Sequence, residues 1–120
     1  MLLKAMVTFG GIVAASSCLA QDAPKPDADY VARCEMKGHN GMVTFVLCPE
    51  VLSSEDFRNE GIVACEGRMP CGAWFWTDAA LVAEDVPDSH DKLSQEQVTS
   101  AAAIWVNETE RLVVLNKSKP

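Results

Sequence analysis

The stretch Cys65–Asp78, CEGRMPCGAWFWTD, joins two cysteines separated by five residues to the most hydrophobic run of the chain. Gly67 and Pro70 stand between the cysteines and favour a tight reversal, because glycine has a permissive backbone and proline has a fixed φ. The run that follows, residues 73–77, is rich in aromatic side chains, which suit a pleated strand. This stretch therefore predicts a loop closed by a disulfide bond and, directly after it, the strand around which the fold is arranged.

The aromatic strand is apolar on both of its faces. Because side chains alternate along a strand, Trp74 and Trp76 lie on one face and Phe75 on the other. Two apolar faces are typical of a central strand covered on both sides, and we expect Trp105, in another apolar run, to lie in the core as well. The alternative is an exposed aromatic stripe, in which Trp74 and Trp76 bind a glycan or a protein partner.

The first twenty residues have the pattern of a secretory signal peptide. Lys4 precedes an apolar run at residues 6–15, which is too short to span a membrane, and small residues follow it. We expect cleavage after Ala20 and an exported protein, for which the alanine-rich leader and the acidic spacer favour a periplasmic location. The alternative is lipoprotein processing, in which an acylated Cys18 anchors the chain to a membrane.

The mature chain has room for one domain with one modest core. Residues 21–29 contain two prolines and three aspartates but no large apolar side chain, and this composition is typical of a flexible spacer. We expect a single disulfide-stabilised domain at residues 30–116 and a frayed end at residues 117–120.

Four cysteines remain after the leader in either type of processing. An even number of cysteines in a short exported chain predicts disulfide bonds. We expect one bond to join Cys34 to Cys48 and the other to join Cys65 to Cys71, because each pair joins neighbours along the chain, although two other connectivities are compatible with the sequence. A zinc site is disfavoured, since the spacings are irregular and the chain has only two histidines.

Two hairpins are predicted beside the aromatic strand. Asn-Gly at residues 40–41 separates two alternating runs, 30–36 and 42–48, and this dipeptide is a strong hairpin signal. The second hairpin joins the apolar runs 103–106 and 111–115 through four polar residues. Together with the aromatic strand, these runs give about five strands.

One or two short helices complete the predicted elements. At residues 52–57 a serine is followed by acids, which favour a helix start, and Asn59 and Glu60 are expected on the side of this helix that faces water. Ser94 and Gln97 match the capping box of a second, shorter helix. The sequence therefore predicts an α+β fold with a small, mainly antiparallel sheet and two disulfides.

A long acidic loop follows the aromatic strand. Its tetrad Asp88-Ser89-His90-Asp91 contains the residue types of a hydrolase, but adjacent residues rarely converge on one substrate atom and no nucleophile motif is present. A calcium site formed by Asp85 and two acids of the tetrad is a further alternative, although the spacing is not that of an EF-hand. We therefore assign no catalytic, metal or cofactor site and keep His90 as a candidate binding residue.

Charge narrows the class of partner. The sequence has 10 basic and 17 acidic residues; Lys4 is removed with the leader and every acid follows it, so the mature chain keeps 9 basic residues and a net charge of −8. Such a chain is repelled by nucleic acid and attracted to cationic proteins. We expect a non-catalytic binding or interaction protein, for which an inhibitor of a cationic envelope enzyme is one candidate. The alternative is a small hydrolase that uses His90, which would then lie in a pocket beside a second reactive group.

Two N-glycosylation sequons begin at Asn107 and Asn116. The triplet occurs often by chance, and the leader is typical of bacterial export. We therefore treat both sequons as incidental.

Overall fold

The computed structural model of the protein describes residues 23–82 and 85–115. The predicted signal peptide, the Cys18 alternative, the Asn116 sequon and the predicted frayed end lie outside these residues. The bounds of the leader and the domain stay predictions; residues 23–29 of the predicted spacer are described, and Asp27 among them bonds to Asn59.

Five strands and two α-helices make up the described fold. In chain order they are β1 (Glu35–Asn40), β2 (Val43–Leu47), α1 (Ser54–Cys65), β3 (Gly72–Trp76), α2 (Gln95–Ser100), β4 (Ala103–Val106) and β5 (Arg111–Val114), with 3₁₀ turns at Ala79–Leu81 and His90–Lys92.

The strands form one sheet in the order β1-β2-β3-β4-β5. β2 and β3 run parallel because α1 returns the chain between them, and the other three pairs are antiparallel. The predicted α+β fold, with two hairpins and a central aromatic strand, is confirmed.

The first hairpin differs from the prediction in register. Asn40 is still part of β1 and pairs with Val43, so the two loop residues are Gly41 and Met42 rather than Asn-Gly. Gly41 takes a φ of +59°, which glycine tolerates at the first position of a two-residue loop. β1 also begins only at Glu35, because the preceding residues lie against α1.

Both helices begin as their capping residues predict. The Ser53 hydroxyl accepts a hydrogen bond from the backbone N–H of Asp56 at the start of α1. At α2, the Ser94 side chain accepts from the backbone of Gln97, whose own side chain bonds back to the backbone of Ser94. The capping box is therefore complete.

The sheet is covered on both sides. We call the side that carries α1 the helix face and the opposite side the loop face. The buried residues on the helix face are Val46, Cys48, Leu52, Phe57, Ile62, Ala64, Cys65, Cys71, Ala73, Phe75, Ala102, Ala103 and Trp105. Those on the loop face are Val43, Phe45, Trp74, Trp76, Leu93 and Ala101, beneath the segments around α2 and the 3₁₀ turns.

The three tryptophans are core residues, as predicted. Trp74, Trp76 and Trp105 are 5%, 0% and 1% exposed. Trp105 lies so close to α1 that a Cβ added to Gly61 would come within 2.5 Å of it, which explains a glycine in the middle of the helix.

The expectation that Asn59 and Glu60 face water is wrong. They are 1% and 2% exposed, because the chain before β1 crosses over them. Asn59 exchanges two hydrogen bonds with Asp27, at 2.8 and 3.1 Å. Glu60 accepts from the Tyr30 hydroxyl at 2.5 Å and from the Arg33 backbone at 2.6 Å. The helix therefore has a polar but buried stripe that binds a segment distant in sequence.

Both predicted disulfides are confirmed, Cys34–Cys48 and Cys65–Cys71. Disulfides point to an oxidising, exported environment. Within residues 23–82 and 85–115, no helix has the length and apolar character needed to cross a bilayer.

Candidate functional site

The loop enclosed by the Cys65–Cys71 disulfide projects from one end of the sheet. We call residues 66–70 the closed loop. Glu66, Gly67, Met69 and Pro70 are exposed. A Cβ added to Gly67 would meet no atom within 4 Å, so the tip extends into open space. The loop therefore presents its outer side chains freely while its two ends are covalently joined.

Two hairpin turns hold the base of the closed loop. The Gly72 N–H donates to the Met42 carbonyl at 2.7 Å, which joins the base to the β1–β2 turn. The Asn107 N–H donates to the Cys71 carbonyl at 2.9 Å. The Cys71 N–H in turn donates to the Glu108 carboxylate at 2.9 Å, so the β4–β5 turn holds the other side.

The Asn107 side chain forms a hydrogen bond to the backbone of the closed loop. This side chain is buried; Nδ2 donates to the Arg68 carbonyl at 3.0 Å and Oδ1 accepts from Trp105 Nε1 at 2.9 Å. The atom to which a glycan would be attached is thus used inside the fold. The sequon alone does not indicate this role; the signal in the sequence is that the asparagine opens a four-residue turn, a position that asparagine favours.

The guanidinium of Arg68 turns away from the tip. It donates to the Thr44 hydroxyl at 3.0 Å and to the Ala64 carbonyl at 3.2 Å, and it pairs with Glu66 at 3.2 Å. The closed loop therefore presents no free cation, and its exposed chemistry is apolar and acidic.

Methionines and carboxylates surround the tip. Met42 and Met69 are each 37% exposed. Glu66 on the loop and Glu108 and Glu110 on the β4–β5 turn are exposed as well, and so is one cation, Arg111 at the start of β5. We call this surface the loop end. Adaptable apolar side chains with a charged rim are a common composition of protein interfaces.

The predicted binding residues Trp74, Trp76 and His90 do come together, but on the loop face. Trp74 Nε1 donates to His90 Nδ1 at 2.7 Å, and the rings of Trp74 and Trp76 stack at 6.1 Å between centroids. Because both indoles are buried, the face is closed to an external ring. A role for these residues in binding would require the covering segment to move, and it stays a prediction.

The tetrad does not have the contacts of a hydrolase. Ser89 donates its hydroxyl proton to Asp91 at 2.5 Å rather than to His90, and this bond holds the pKa of Asp91 below its usual range. Lys92 forms a hydrogen bond with Asp88 at 2.9 Å and lowers the pKa of that carboxyl in the same way. The serine-to-histidine contact that the hydrolase alternative needs is not formed.

Metal binding also lacks a site in the described part of the chain. Among residues 23–82 and 85–115, no three His, Cys, Asp or Glu side chains converge on one point. The acids Asp88 and Asp91 of the calcium alternative instead bond to neighbours on their own segment.

A cavity of about 310 Å³ lies at the opposite end of the sheet, where β2 and β3 end. Its charged lining residues are Arg33 and Glu35. Arg33 already pairs with Asp56 at 2.6 Å and Glu50 at 3.7 Å, while Glu35 pairs with Lys37 at 3.5 Å. Its charged residues are paired within the protein, and it is a recess rather than a projecting element, so we take the loop end as the stronger candidate.

Comparison with known proteins assigns no family: no family model, no curated protein and no solved structure matches this chain.

Proposed function

We propose that this protein is an exported, non-catalytic binding protein that contacts a cationic protein through its loop end. The observation that carries the proposal is that the closed loop is exposed at its tip but fixed at its base by a disulfide and by hydrogen bonds to two turns. A loop already held in one conformation loses little entropy on binding, so its contacts contribute more fully to affinity.

The chemistry of the loop end defines the partner. Met42 and Met69 suit an apolar cleft of variable shape, and the surrounding carboxylates favour a basic rim around that cleft. The excess of acids over bases in the whole chain adds long-range attraction to a basic protein. A basic cell-wall hydrolase in the same compartment fits this description, and occupying its cleft would inhibit it.

A binding and inhibition assay with the mature chain tests the proposal. We expect tight binding to basic cell-wall hydrolases, inhibition of their activity, and weakening of both in high salt. The double variant Glu66→Gln, Met69→Ala should bind at least about tenfold more weakly, because it removes an exposed carboxylate and the apolar side chain of the tip, and because it leaves the positive charge of Arg68 without its ion pair.

A matched control is available on α2, at the far end of the sheet. Glu96→Gln, Val98→Ala also removes one exposed carboxylate and one exposed apolar side chain. The control should bind as wild type, and both variants should keep the wild-type melting temperature. Equal weakening in the two variants, or wild-type binding by the loop variant, would show that the closed loop is not the contact surface.

A further inference from the structure

The contact between His90 and Trp74 requires one protonation state of the imidazole. An indole N–H can only donate, and Trp74 Nε1 lies 2.7 Å from His90 Nδ1. Nδ1 must therefore carry a lone pair, and the single ring proton is on Nε2. A second proton would place an N–H at Nδ1 directly opposite the indole N–H, so the hydrogen bond would be lost.

The ring is also fitted into the sheet beneath it. A Cβ added to Gly72 would come within 2.6 Å of His90 Cε1, so the glycine in β3 makes room for the imidazole. The rings of His90 and Trp74 lie 5.7 Å apart between centroids. An imidazole released from Trp74 would have no equivalent position on this crowded surface.

Other contacts hold the two ends of the segment that carries the imidazole: the Val86 side chain packs against the loop-face core, and a Cβ added to Gly41 would lie 3.4 Å from the Asp88 carbonyl oxygen. Within residues 86–93, the Val86 carbonyl accepts from Asn40 Nδ2 at 2.8 Å, and Leu93 is buried. The segment has one 3₁₀ turn as its regular structure. The imidazole therefore holds the middle of the segment, residues 89–92, between these two attached ends.

Charged groups lie near the imidazole on its own segment and on the β4–β5 turn. On its own segment, Asp88 and Asp91 are bound to Lys92 and Ser89. The β3 residues beneath it carry no charge. On the β4–β5 turn, the Glu108 carboxylate accepts from the N–H of Cys71, one residue before Gly72, and Arg111 lies two strands away in the cross-strand row of Gly72.

We propose that His90 is a proton-sensitive pin: a second proton on its imidazole breaks the bond to Trp74 and releases residues 89–92 from the loop face. The released state exposes the indole of Trp74, on which an aromatic or glycan ligand would stack, while Trp76 stays covered by α2 with its Nε1 bonded to the Gln97 carbonyl. The pin needs no partner to operate, so it is independent of the proposed function.

A titration of the mature chain between about pH 8 and about pH 5 tests the pin, since histidine changes charge in this range. By NMR, the Cε1 proton of His90 and the indole N–H of Trp74 should shift with one common midpoint. The protection of the Trp74 indole from hydrogen exchange should fall by at least about tenfold at the acidic end.

Two histidine variants distinguish the protonation of His90 from other effects of low pH on the protein. His90→Asn keeps an acceptor oxygen near Nδ1 but does not titrate, so its Trp74 protection should stay constant across the range. His39→Asn removes the other histidine, which is exposed on β1, and should titrate as wild type.

Three results would overturn the proposal. The first is a folded His90→Asn variant in which the Trp74 indole still loses its exchange protection in acid. The second is a His39→Asn variant in which the Trp74 indole keeps its protection in acid. The third needs only the wild-type protein: a His90 titration that leaves the Trp74 indole resonance and its protection unchanged.

Discussion

The two faces of the sheet bury comparable aromatic cores but are covered in different ways. On the helix face, a capped α-helix packs against the strands, and both disulfides lie there. The loop face is covered by turns and a short helix, whose polar contacts include the Trp74–His90 bond and a bond from Trp76 Nε1 to the Gln97 carbonyl at 3.0 Å. Each face buries three aromatic side chains, but the loop face has fewer buried residues and a less regular cover, so we expect it to open first.

The largest expected effect comes from removing one tryptophan from each face. Trp105→Ala should destabilise the protein by about 5 kcal/mol and Trp74→Ala by about 3 kcal/mol, because the rigid helix face is less able to close around a cavity. Denaturant unfolding of the two variants measures the difference. An unchanged stability of Trp74→Ala would break the comparison and make the loop face an open binding platform.

Removing each of the two disulfides should destabilise the helix face by a different amount. Replacing Cys34 and Cys48 with alanine should cost about 3 kcal/mol, and replacing Cys65 and Cys71 about 2 kcal/mol, because the first pair closes the longer loop. Chemical unfolding of the two double variants gives both values. The reverse order would mean that the short bridge also relieves strain in the fold.

A third prediction follows from the close packing of α1 against Trp105. Gly61→Ala should destabilise by about 1 to 3 kcal/mol, although alanine is the better helix former, because the added methyl group overlaps Trp105. Val63→Ala, at an exposed position of the same helix, is the control and should change stability by less than about 0.5 kcal/mol. A stabilising Gly61→Ala would show that the helix face has room to adjust.

The smallest effect is expected at the segment that crosses α1, and it depends on pH. Burial and the hydrogen bond to Glu60 raise the pKa of Tyr30 from 10.0 to about 12. Since the folded pKa is the higher one, the contribution of Tyr30 to stability is complete below pH 10 and is lost as pH rises towards 12.

Wild type and Tyr30→Phe should therefore differ by about 1 kcal/mol in unfolding free energy at neutral pH, and the difference should shrink in alkali. The chain has one tyrosine, so its ultraviolet absorbance also gives the ionisation directly. If the absorbance change of Tyr30 had its midpoint near pH 10.0, the ordinary pKa of tyrosine, the hydroxyl would not be held by Glu60.

Local sequence signals predicted the elements well, whereas long-range contacts were not predictable. Ser53 and the Ser94–Gln97 box mark helix starts because caps involve residues three positions apart. The burial of Glu60 could not be read from its helix, since the covering residues lie about thirty positions earlier. Capping residues and helical periodicity are properties of a single helix. The burial of a residue on that helix also depends on which distant segment of the chain crosses it.

The candidate site shows the same division. The closed loop was already evident from two cysteines, a glycine and a proline. The hydrogen bonds from the closed loop to Met42 and Glu108 were not evident from the sequence, because the β1–β2 and β4–β5 turns meet at the base of this loop only in the assembled sheet. His90 was recognised by residue type, but its bond to Trp74 depends on how the long loop returns to β3.

The buried amide of Asn107 has a practical consequence for recombinant production. In a eukaryotic secretory host, a sugar transferred to this sequon before folding would occupy Nδ2, which must lie inside the protein against Arg68. The modified fraction would lack space for its glycan and the support of its closed loop, and quality control would retain it. Bacterial export, or a Thr109→Ala variant that removes the sequon without touching the amide, should therefore yield more native protein from the same gene.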